Sequence, residues 1–120
     1  MKVLAFEKRE YCERLKKVKE SMQEQGIEVL LITDPANINY VAGYEAMSYY
    51  VPQGVVVTLD MEEPVCIIRQ QDLYCATQTT WVAEENVIAY PDKYLWEPKE
   101  LHVMDFIADF LKVRGLQIKK

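Results

Sequence analysis

The stretch that decides the fold of this chain is Asp34-Pro35-Ala36-Asn37-Ile38-Asn39-Tyr40-Val41-Ala42-Gly43-Tyr44. It follows the apolar run Val29-Leu30-Leu31-Ile32, which predicts a buried strand. Asp34 can accept a hydrogen bond from a free amide in the first turn of a helix, and Pro35 suits the first helical position. Gly43 can adopt the left-handed conformation that ends a helix. The stretch therefore predicts a strand, a short capped helix and a tight exit.

The rest of the chain alternates predicted helices with predicted strands. The predicted helices cover 7–25, 70–80 and 98–113, and the predicted strands cover 29–33, 54–59, 65–69, 87–90 and 116–120. Met104, Ile107 and Leu111 lie on one apolar face of the last predicted helix. The second and third strands form a predicted hairpin, and 91–94 is a predicted turn. The first strand is apolar on both faces, so we expect it to be central in the sheet. This alternation indicates an α/β fold, a mixed sheet covered by helices on both faces.

Composition excludes several classes of partner. The chain has 120 residues, of which 50% are hydrophobic, enough for one domain with its own core. A net charge of -5 argues against nucleic acid, because phosphate binding needs clustered Lys and Arg. No apolar run reaches the ~20 residues of a membrane span, and no signal peptide is visible. We expect a cytoplasmic protein with reduced thiols, in which Cys12 and Cys66 are packed.

No group of residues in the sequence forms a self-contained active site. His102 is the only histidine, and it has no histidine partner or acidic pair at metal-ligand spacing. Cys75 has no basic residue nearby to activate its thiol. The adjacent acidic pairs Glu62-Glu63 and Glu84-Glu85 are typical of a solvated surface rather than of acid–base catalysis. We therefore predict no catalytic residue and no metal ligand in this chain.

Two segments carry side chains that suit ligand contact as well as packing. Residues 44–53 place several tyrosines between two strands, and loops with aromatic side chains at the end of a sheet often bind ligands. The alternative is that these tyrosines pack on the sheet. Arg69 and Asp72 lie where a strand ends and a helix begins, and their alternative role is to pair and cap that helix. The sequence leaves both alternatives open.

Several segments resemble the amino-terminal domain of the creatinase, proline dipeptidase and aminopeptidase P family of "pita-bread" metallohydrolases. The shared structural motif consists of Asp34, Pro35, Asn37, Tyr40 and Gly43. The segments most similar to the creatinase and ectoine hydrolase branch are 49–53, 69–72 and 90–92, with proline dipeptidases close behind. The resemblance implies a three-layer αβα fold with a mixed central sheet and a ribonuclease H-like motif. It also implies that 1–120 is one amino-terminal domain, which ends before the linker to a catalytic domain.

The resemblance further implies where the chemistry of the parent protein takes place. In the family, a larger carboxy-terminal domain holds two divalent metal ions, such as Mn or Zn, on Asp, His and Glu side chains. None of those ligands can be assigned to this chain. The amino-terminal domain supports a homodimer and reaches the partner subunit's active site. There it shapes the choice of a small-molecule or short-peptide substrate.

Counting along the motif identifies three candidate substrate-gating residues. The aromatic residue that helps to hold substrate in creatinases falls on Tyr49, and Tyr50 is next to it. The arginine of creatinases falls on Val51, a departure that argues against creatine as the substrate. A substrate carboxylate would then need another cation, and Arg69 is the nearest candidate. The motif residues have sufficient structural roles, so we interpret them as a hinge that aims the following loop.

Three hypotheses follow. The leading one is a non-catalytic amino-terminal domain of a metal-dependent hydrolase that cleaves carbon–nitrogen bonds in proline peptides, creatine or ectoine. The second is a stand-alone small-molecule-binding α/β module without catalysis. The third is an unrelated α/β domain with its own site at the ends of its strands. A downstream reading frame with the family's metal ligands would favour the first hypothesis, and a natural stop after Lys120 would favour the second.

Overall fold

The computed structural model describes residues 2, 4–44, 53–91, 93–96 and 102–113, for residues 95 and 96 the backbone alone. Its helices are α1 (Lys8–Gln25), α2 (Pro35–Ala42), α3 (Leu73–Thr79), α4 (Lys93–Trp96) and α5 (Val103–Val113). Its strands are β1 (Val29–Ile32), β2 (Gly54–Thr58), β3 (Val65–Arg69) and β4 (Val87–Tyr90). Short 3-10 turns at Gln70–Asp72 and Glu84–Asn86 precede α3 and β4.

The four strands form one mixed sheet in the order β1-β2-β3-β4. The first three strands are antiparallel neighbours, which confirms the predicted hairpin, and β4 runs parallel to β3. The expectation that the first strand is central is wrong, because β1 lies at the edge of the sheet that the described residues form. Its apolar side chains are covered from the two faces of the sheet, and Leu31 remains 37% exposed.

Alternating residues of the two inner strands divide the core into two halves. Val55 and Val57 face a cluster that includes buried residues of α1, α2 and α3. Val56 and Ile67 face the opposite cluster, which includes the buried residues of α5. A strand that is buried on both faces needs apolar residues at every position, and the sequence of β2 meets this requirement. The predicted α/β fold with a mixed sheet between helix layers is confirmed.

The helix ends follow the sequence signals closely, whereas two predicted packing positions do not. Gly26 ends α1 in the left-handed conformation, with a φ of 71°. Cys12 is exposed on α1, so the prediction that it is packed is wrong, whereas the same prediction for Cys66 is confirmed. Met104, which the sequence places on the apolar face of the last helix, is 38% exposed. The residues of α5 that point into the core are Val103, Ile107 and Leu111.

Three predicted features fall partly or wholly outside the described residues. The predicted last helix begins at Pro98, and the structure describes it from Val103 onwards. The predicted strand at 116–120 lies outside the described part of the chain. The predicted turn at 91–94 contains the beginning of α4, which starts at Lys93.

Candidate functional site

The amino end of α2 is built from local contacts alone. The Asp34 carboxylate accepts a hydrogen bond from the backbone N–H of Asn37 at 3.1 Å, and the Asp34 carbonyl accepts one from Ile38 at 2.9 Å. Pro35 occupies the first turn, where the missing N–H has no consequence. This end of the helix is exposed, and the cap predicted from the sequence is confirmed.

The carboxyl end of α2 is held by groups from distant parts of the chain. The last four carbonyls of a helix have no partner within the helix. Here the Asn39 carbonyl accepts from the Gly43 amide at 2.8 Å, which is the expected local bond. The other three carbonyls accept from three residues outside the motif. The donors are Arg14 Nη1 to Tyr40 at 3.0 Å, Trp81 Nε1 to Val41 at 2.8 Å, and Thr80 Oγ1 to Ala42 at 2.6 Å.

We call Arg14, Thr80 and Trp81 the α2 anchor. The Trp81 indole is buried and stacks on the Tyr11 ring, with centroids 6.4 Å apart and planes 12° from parallel. The Trp81 backbone N–H adds a second bond to the Ala42 carbonyl at 3.2 Å. The Arg14 guanidinium lies 4.5 Å from the centroid of the Tyr40 ring, a cation–π distance. The anchor therefore joins α1, α2 and the segment after α3.

Two features of the structure favour glycine at position 43. Its φ is 79°, in the region that residues with a side chain resist. A Cβ added there would also lie 3.0 Å from the Tyr11 hydroxyl and 3.2 Å from the Thr79 carbonyl. The chain thus leaves α2 through a narrow space between α1 and α3, in which an added side chain would displace its neighbours.

A groove of about 490 Å³ runs beside β1 and the amino end of α2. Three motif residues, Asp34, Asn37 and Tyr40, line it together with apolar side chains of α1 and β1. The Asp34 carboxylate already serves as the helix cap. The groove therefore offers mainly apolar contact area beside a helix whose polar end groups are occupied.

Arg69 and Asp72 meet at the carboxyl end of β3. The guanidinium donates two hydrogen bonds to the carboxylate, from Nε to Oδ2 at 3.0 Å and from Nη2 to Oδ1 at 3.2 Å. The pair is largely shielded from solvent. Pairing was one of the two alternatives for these residues, whereas the Asp72 side chain makes no capping hydrogen bond to α3. The pair fixes the orientation of the guanidinium at this edge of the sheet.

Two buried groups in the core cluster that includes residues of β3 and α3 have raised pKa values. Burial raises the pKa of the Cys66 thiol to about 12, and a hydrogen bond with Thr80 opposes the rise only in part. Burial also raises the pKa of the Tyr44 hydroxyl, and the negative charge of Asp72 adds to the effect. Both groups are therefore neutral at physiological pH. Tyr44 lies close enough to Arg69 and Asp72 for their charges to act on its hydroxyl.

The remaining titratable candidates have structural surroundings. His102 precedes α5, and its Nδ1 accepts a hydrogen bond from the Met104 amide at 3.0 Å, as a helix cap does. Glu63 accepts from the Ala83 amide and from Asn86 Nδ2, each at 2.9 Å, and so ties the β2–β3 turn to the segment before β4. Among the residues that the structure describes, no three His, Cys, Asp or Glu side chains converge as metal ligands do. The metal ions that the resemblance implies have no donor set in that part of the chain.

Sequence comparison decides the family. Residues 14–116 match the Creatinase/Prolidase N-terminal domain family. The chain belongs to this family. It is 43% identical over 111 residues to an uncharacterized hydrolase/peptidase of Sinorhizobium fredii, an alignment that covers 92% of this chain and 28% of the relative. It is 41% identical over 105 residues to the ectoine hydrolase of Halomonas elongata, which covers 88% of this chain and 26% of the relative. The creatinase/prolidase N-terminal domain described here thus spans about a quarter of the length of the curated relatives it matches.

Solved structures of the family share the fold. The N-terminal domain of an Xaa-Pro dipeptidase from Lactobacillus brevis matches with a TM-score of 0.68 at 20% identity, covering 85% of this chain and 69% of that chain. An Xaa-Pro aminopeptidase from Streptococcus pyogenes matches with a TM-score of 0.67 at 18% identity, covering 92% of this chain and 71% of that chain. The prolidase from Pyrococcus horikoshii matches at a TM-score of 0.56 and 16% identity, covering 72% of this chain and 23% of that chain.

The predicted site residues of this creatinase/prolidase N-terminal domain fall into two groups. Arg69 lies at the carboxyl end of β3, where it is paired with Asp72. Tyr49 and Tyr50 lie outside the described residues. The contact of all three candidates with substrate stays a prediction.

No helix in the described ranges is long and apolar enough to cross a bilayer.

Sequence reasoning missed the α2 anchor. Its three members lie 26 to 40 residues away from the carbonyls that they hold, so no local spacing connects donor and acceptor. The only available signal was a Thr80-Trp81 pair directly after a helical segment, in a chain with two tryptophans. A buried indole N–H needs an acceptor, but the sequence does not indicate which one.

Proposed function

We propose that this chain is the non-catalytic amino-terminal domain of a metal-dependent hydrolase that acts on carbon–nitrogen bonds. The family match over residues 14–116 carries the proposal. Relatives with this domain are named ectoine hydrolase, prolidase and Xaa-Pro aminopeptidase, all of them names of enzymes that hydrolyse such bonds. The proposed parent is a cytoplasmic homodimer. Its two divalent metal ions, such as Mn or Zn, bind outside this chain and activate water for attack on an amide, amidine or peptide carbon.

The proposed role of this domain is to support the dimer and to shape access of a small-molecule or short-peptide substrate. Arg69 is the described residue best suited to contact substrate. It lies at the carboxyl end of β3, the edge at which open α/β sheets commonly bind ligands. Its pair with Asp72 holds the guanidinium in one orientation. Tyr49 and Tyr50 are proposed as aromatic substrate contacts on the basis of the family resemblance.

The first experiment separates the domain from the catalyst. The isolated chain, supplied with Mn or Zn, is assayed for hydrolysis of a proline dipeptide, ectoine and creatine, beside the parent protein under the same conditions. We expect turnover of at least one substrate by the parent and none by the isolated chain. Turnover by the isolated chain well above buffer would contradict the non-catalytic assignment.

The second experiment tests the substrate contacts in the parent protein. Tyr49→Ala and Arg69→Ala are each expected to raise KM by about tenfold with metal content unchanged, because each removes one substrate contact. The matched controls are Tyr74→Ala and Arg9→Ala, which remove exposed side chains of the same types. If KM in Tyr49→Ala and Arg69→Ala is no higher than KM in the two controls, Tyr49 and Arg69 have only structural roles.

A further inference from the structure

The α2 anchor supplies the carboxyl end of α2 with donors from other parts of the chain. Exposed helix ends commonly leave their last carbonyls to water. In α2 every one of the last four carbonyls accepts a hydrogen bond from a protein donor, and three of these donors belong to the anchor. This arrangement fixes both the position and the rotation of the helix end. A single local cap would fix neither with respect to the sheet.

The anchor donors are themselves held in place before they reach α2. Thr80 is fully buried, and Trp81 is only 5% exposed and stacked on Tyr11. The Arg14 guanidinium is shared between the Glu10 carboxylate at 3.1 Å and the face of the Phe6 ring at 4.6 Å. Donors with restricted rotamers lose little entropy when they bond to the helix, so they hold its end in one position.

Gly43 and Tyr44 follow this helix end into the core. Gly43 passes between the Tyr11 hydroxyl and the Thr79 carbonyl, and Tyr44 is then buried. Tyr44 is buried in the same core cluster as Ile68, with Leu73 packed against it, and these two residues are the chain neighbours of Arg69 and Asp72. The exit from α2 therefore packs near the Arg69–Asp72 pair, whose charges act on the Tyr44 hydroxyl. A shift of the helix end would therefore move Tyr44 relative to Arg69.

We propose that Arg14, Thr80 and Trp81 are positioning residues, which set substrate affinity by fixing the exit from α2 beside Arg69. The proposal rests on the proposed function, in which Arg69 contacts substrate. None of the three anchor residues touches substrate in this proposal. They act through the backbone at Gly43 and Tyr44.

The first test measures amide hydrogen exchange in the 120-residue chain. Trp81→Phe keeps an aromatic ring against Tyr11 but removes the indole donor, and Thr80→Val removes the hydroxyl at nearly constant shape. Each is expected to speed exchange of the Gly43 amide by about tenfold relative to the amides of β2 and β3, as loss of a single hydrogen bond predicts. The matched control is Thr77→Val, which removes a hydroxyl bonded within α3 to the Tyr74 carbonyl. A rise shared equally by Gly43 and the sheet would overturn the proposal, because it would mean general destabilisation.

The second test uses the parent protein and the substrate that it hydrolyses. Trp81→Phe and Thr80→Val are expected to raise KM by about threefold to tenfold with kcat and metal content unchanged, while Thr77→Val leaves KM unchanged. An unchanged KM in both anchor variants overturns the proposal, whatever Arg69→Ala does. If Arg69→Ala raises KM and the anchor variants do not, only the role of the anchor fails. If Arg69→Ala leaves KM unchanged, the substrate contact at Arg69 fails, and the role of the anchor fails with it. The two failures can therefore be told apart.

Discussion

The two ends of α2 obtain their hydrogen bonds from different sources. At the amino end, the Asp34 carboxylate reaches three residues along the chain and bonds to an amide that is exposed to solvent. At the carboxyl end, Arg14, Thr80 and Trp81 bond to carbonyls 26 to 40 residues away, and two of those bonds are buried. The amino end therefore depends on local sequence, whereas the carboxyl end depends on the packing of three segments. Perturbing each end separately tests this difference.

The largest effect is expected at the carboxyl end, from Gly43→Ala. The substitution imposes a left-handed conformation on a residue with a side chain and places its Cβ against the Thr79 carbonyl and the Tyr11 ring. We expect a loss of about 3 kcal/mol in the free energy of unfolding, the sum of backbone strain and overpacking. Chemical denaturation at equilibrium measures the loss.

Gly26→Ala is the matched control for this prediction. Gly26 has a φ of 71°, close to that of Gly43, but no atom lies within 4 Å of its added Cβ. Only backbone strain remains, so the expected loss is about 1 kcal/mol. Equal losses at the two glycines would mean that tertiary contact adds nothing to the carboxyl end, and the comparison between the two ends would fail.

A second effect is expected at high pH and concerns Cys66, a buried residue that is hydrogen-bonded to Thr80 of the α2 anchor. Burial raises the pKa of the Cys66 thiol to about 12. The thiol thus stays protonated in the folded chain while it ionises in the unfolded chain, so stability is complete below about pH 9 and falls as pH rises towards 12. Between about pH 8 and about pH 10 this group alone is expected to remove about 1 kcal/mol.

Denaturation of the wild-type chain and of Cys66→Ala at both pH values isolates this contribution. The variant lacks the thiol, so its stability is expected to fall less over the same interval, although it is lower at neutral pH because of the small cavity. Parallel pH profiles for the two proteins would show that the thiol ionises equally in both states.

The smallest effect is expected at the amino end. Asp34→Ala removes the side-chain acceptor of the Asn37 amide and is expected to cost about 1 kcal/mol or less, as for other helix caps. Asp34→Asn keeps an acceptor and is expected to be nearly neutral. If Asp34→Ala lowers the free energy of unfolding as much as Gly43→Ala does, the two ends of α2 do not differ in the way described above. Urea denaturation of the three proteins makes the comparison.

Much of the fold was predictable because its signals are local. The boundaries of α1 and α2, the buried hairpin of β2 and β3, and the sheet between helix layers follow from caps, glycines and apolar runs. The position of β1 was not predictable in this way. Its residues are apolar on both faces because helices cover both faces, and that pattern does not distinguish an edge strand from a central strand. The burial of Met104 on α5 was not predictable for a related reason. A wide apolar stripe on a helix does not indicate which of its residues lies at the margin of the stripe, where the side chain is partly exposed.

The candidate site was predictable only in part. Arg69 and Asp72 are three residues apart at a strand end, so their pairing was foreseeable from spacing. The burial of Tyr44 was not predictable. The sequence places this residue at the start of a loop with several aromatic side chains, whereas in the structure it is buried in the same cluster as Ile68 of β3. The anchor residues carried no recognisable pattern, since their partners are distant in sequence.

The sequence by itself determined the elements of this protein and its family. The stretch from Asp34 to Gly43 contains its own beginning and end, because a carboxylate cap, a proline and a glycine act through bonds to near neighbours. Only the tertiary structure decided where that helix points. Its last carbonyls must find donors when they are buried, and the donors come from α1 and from the segment after α3, which meet α2 only when the sheet has formed.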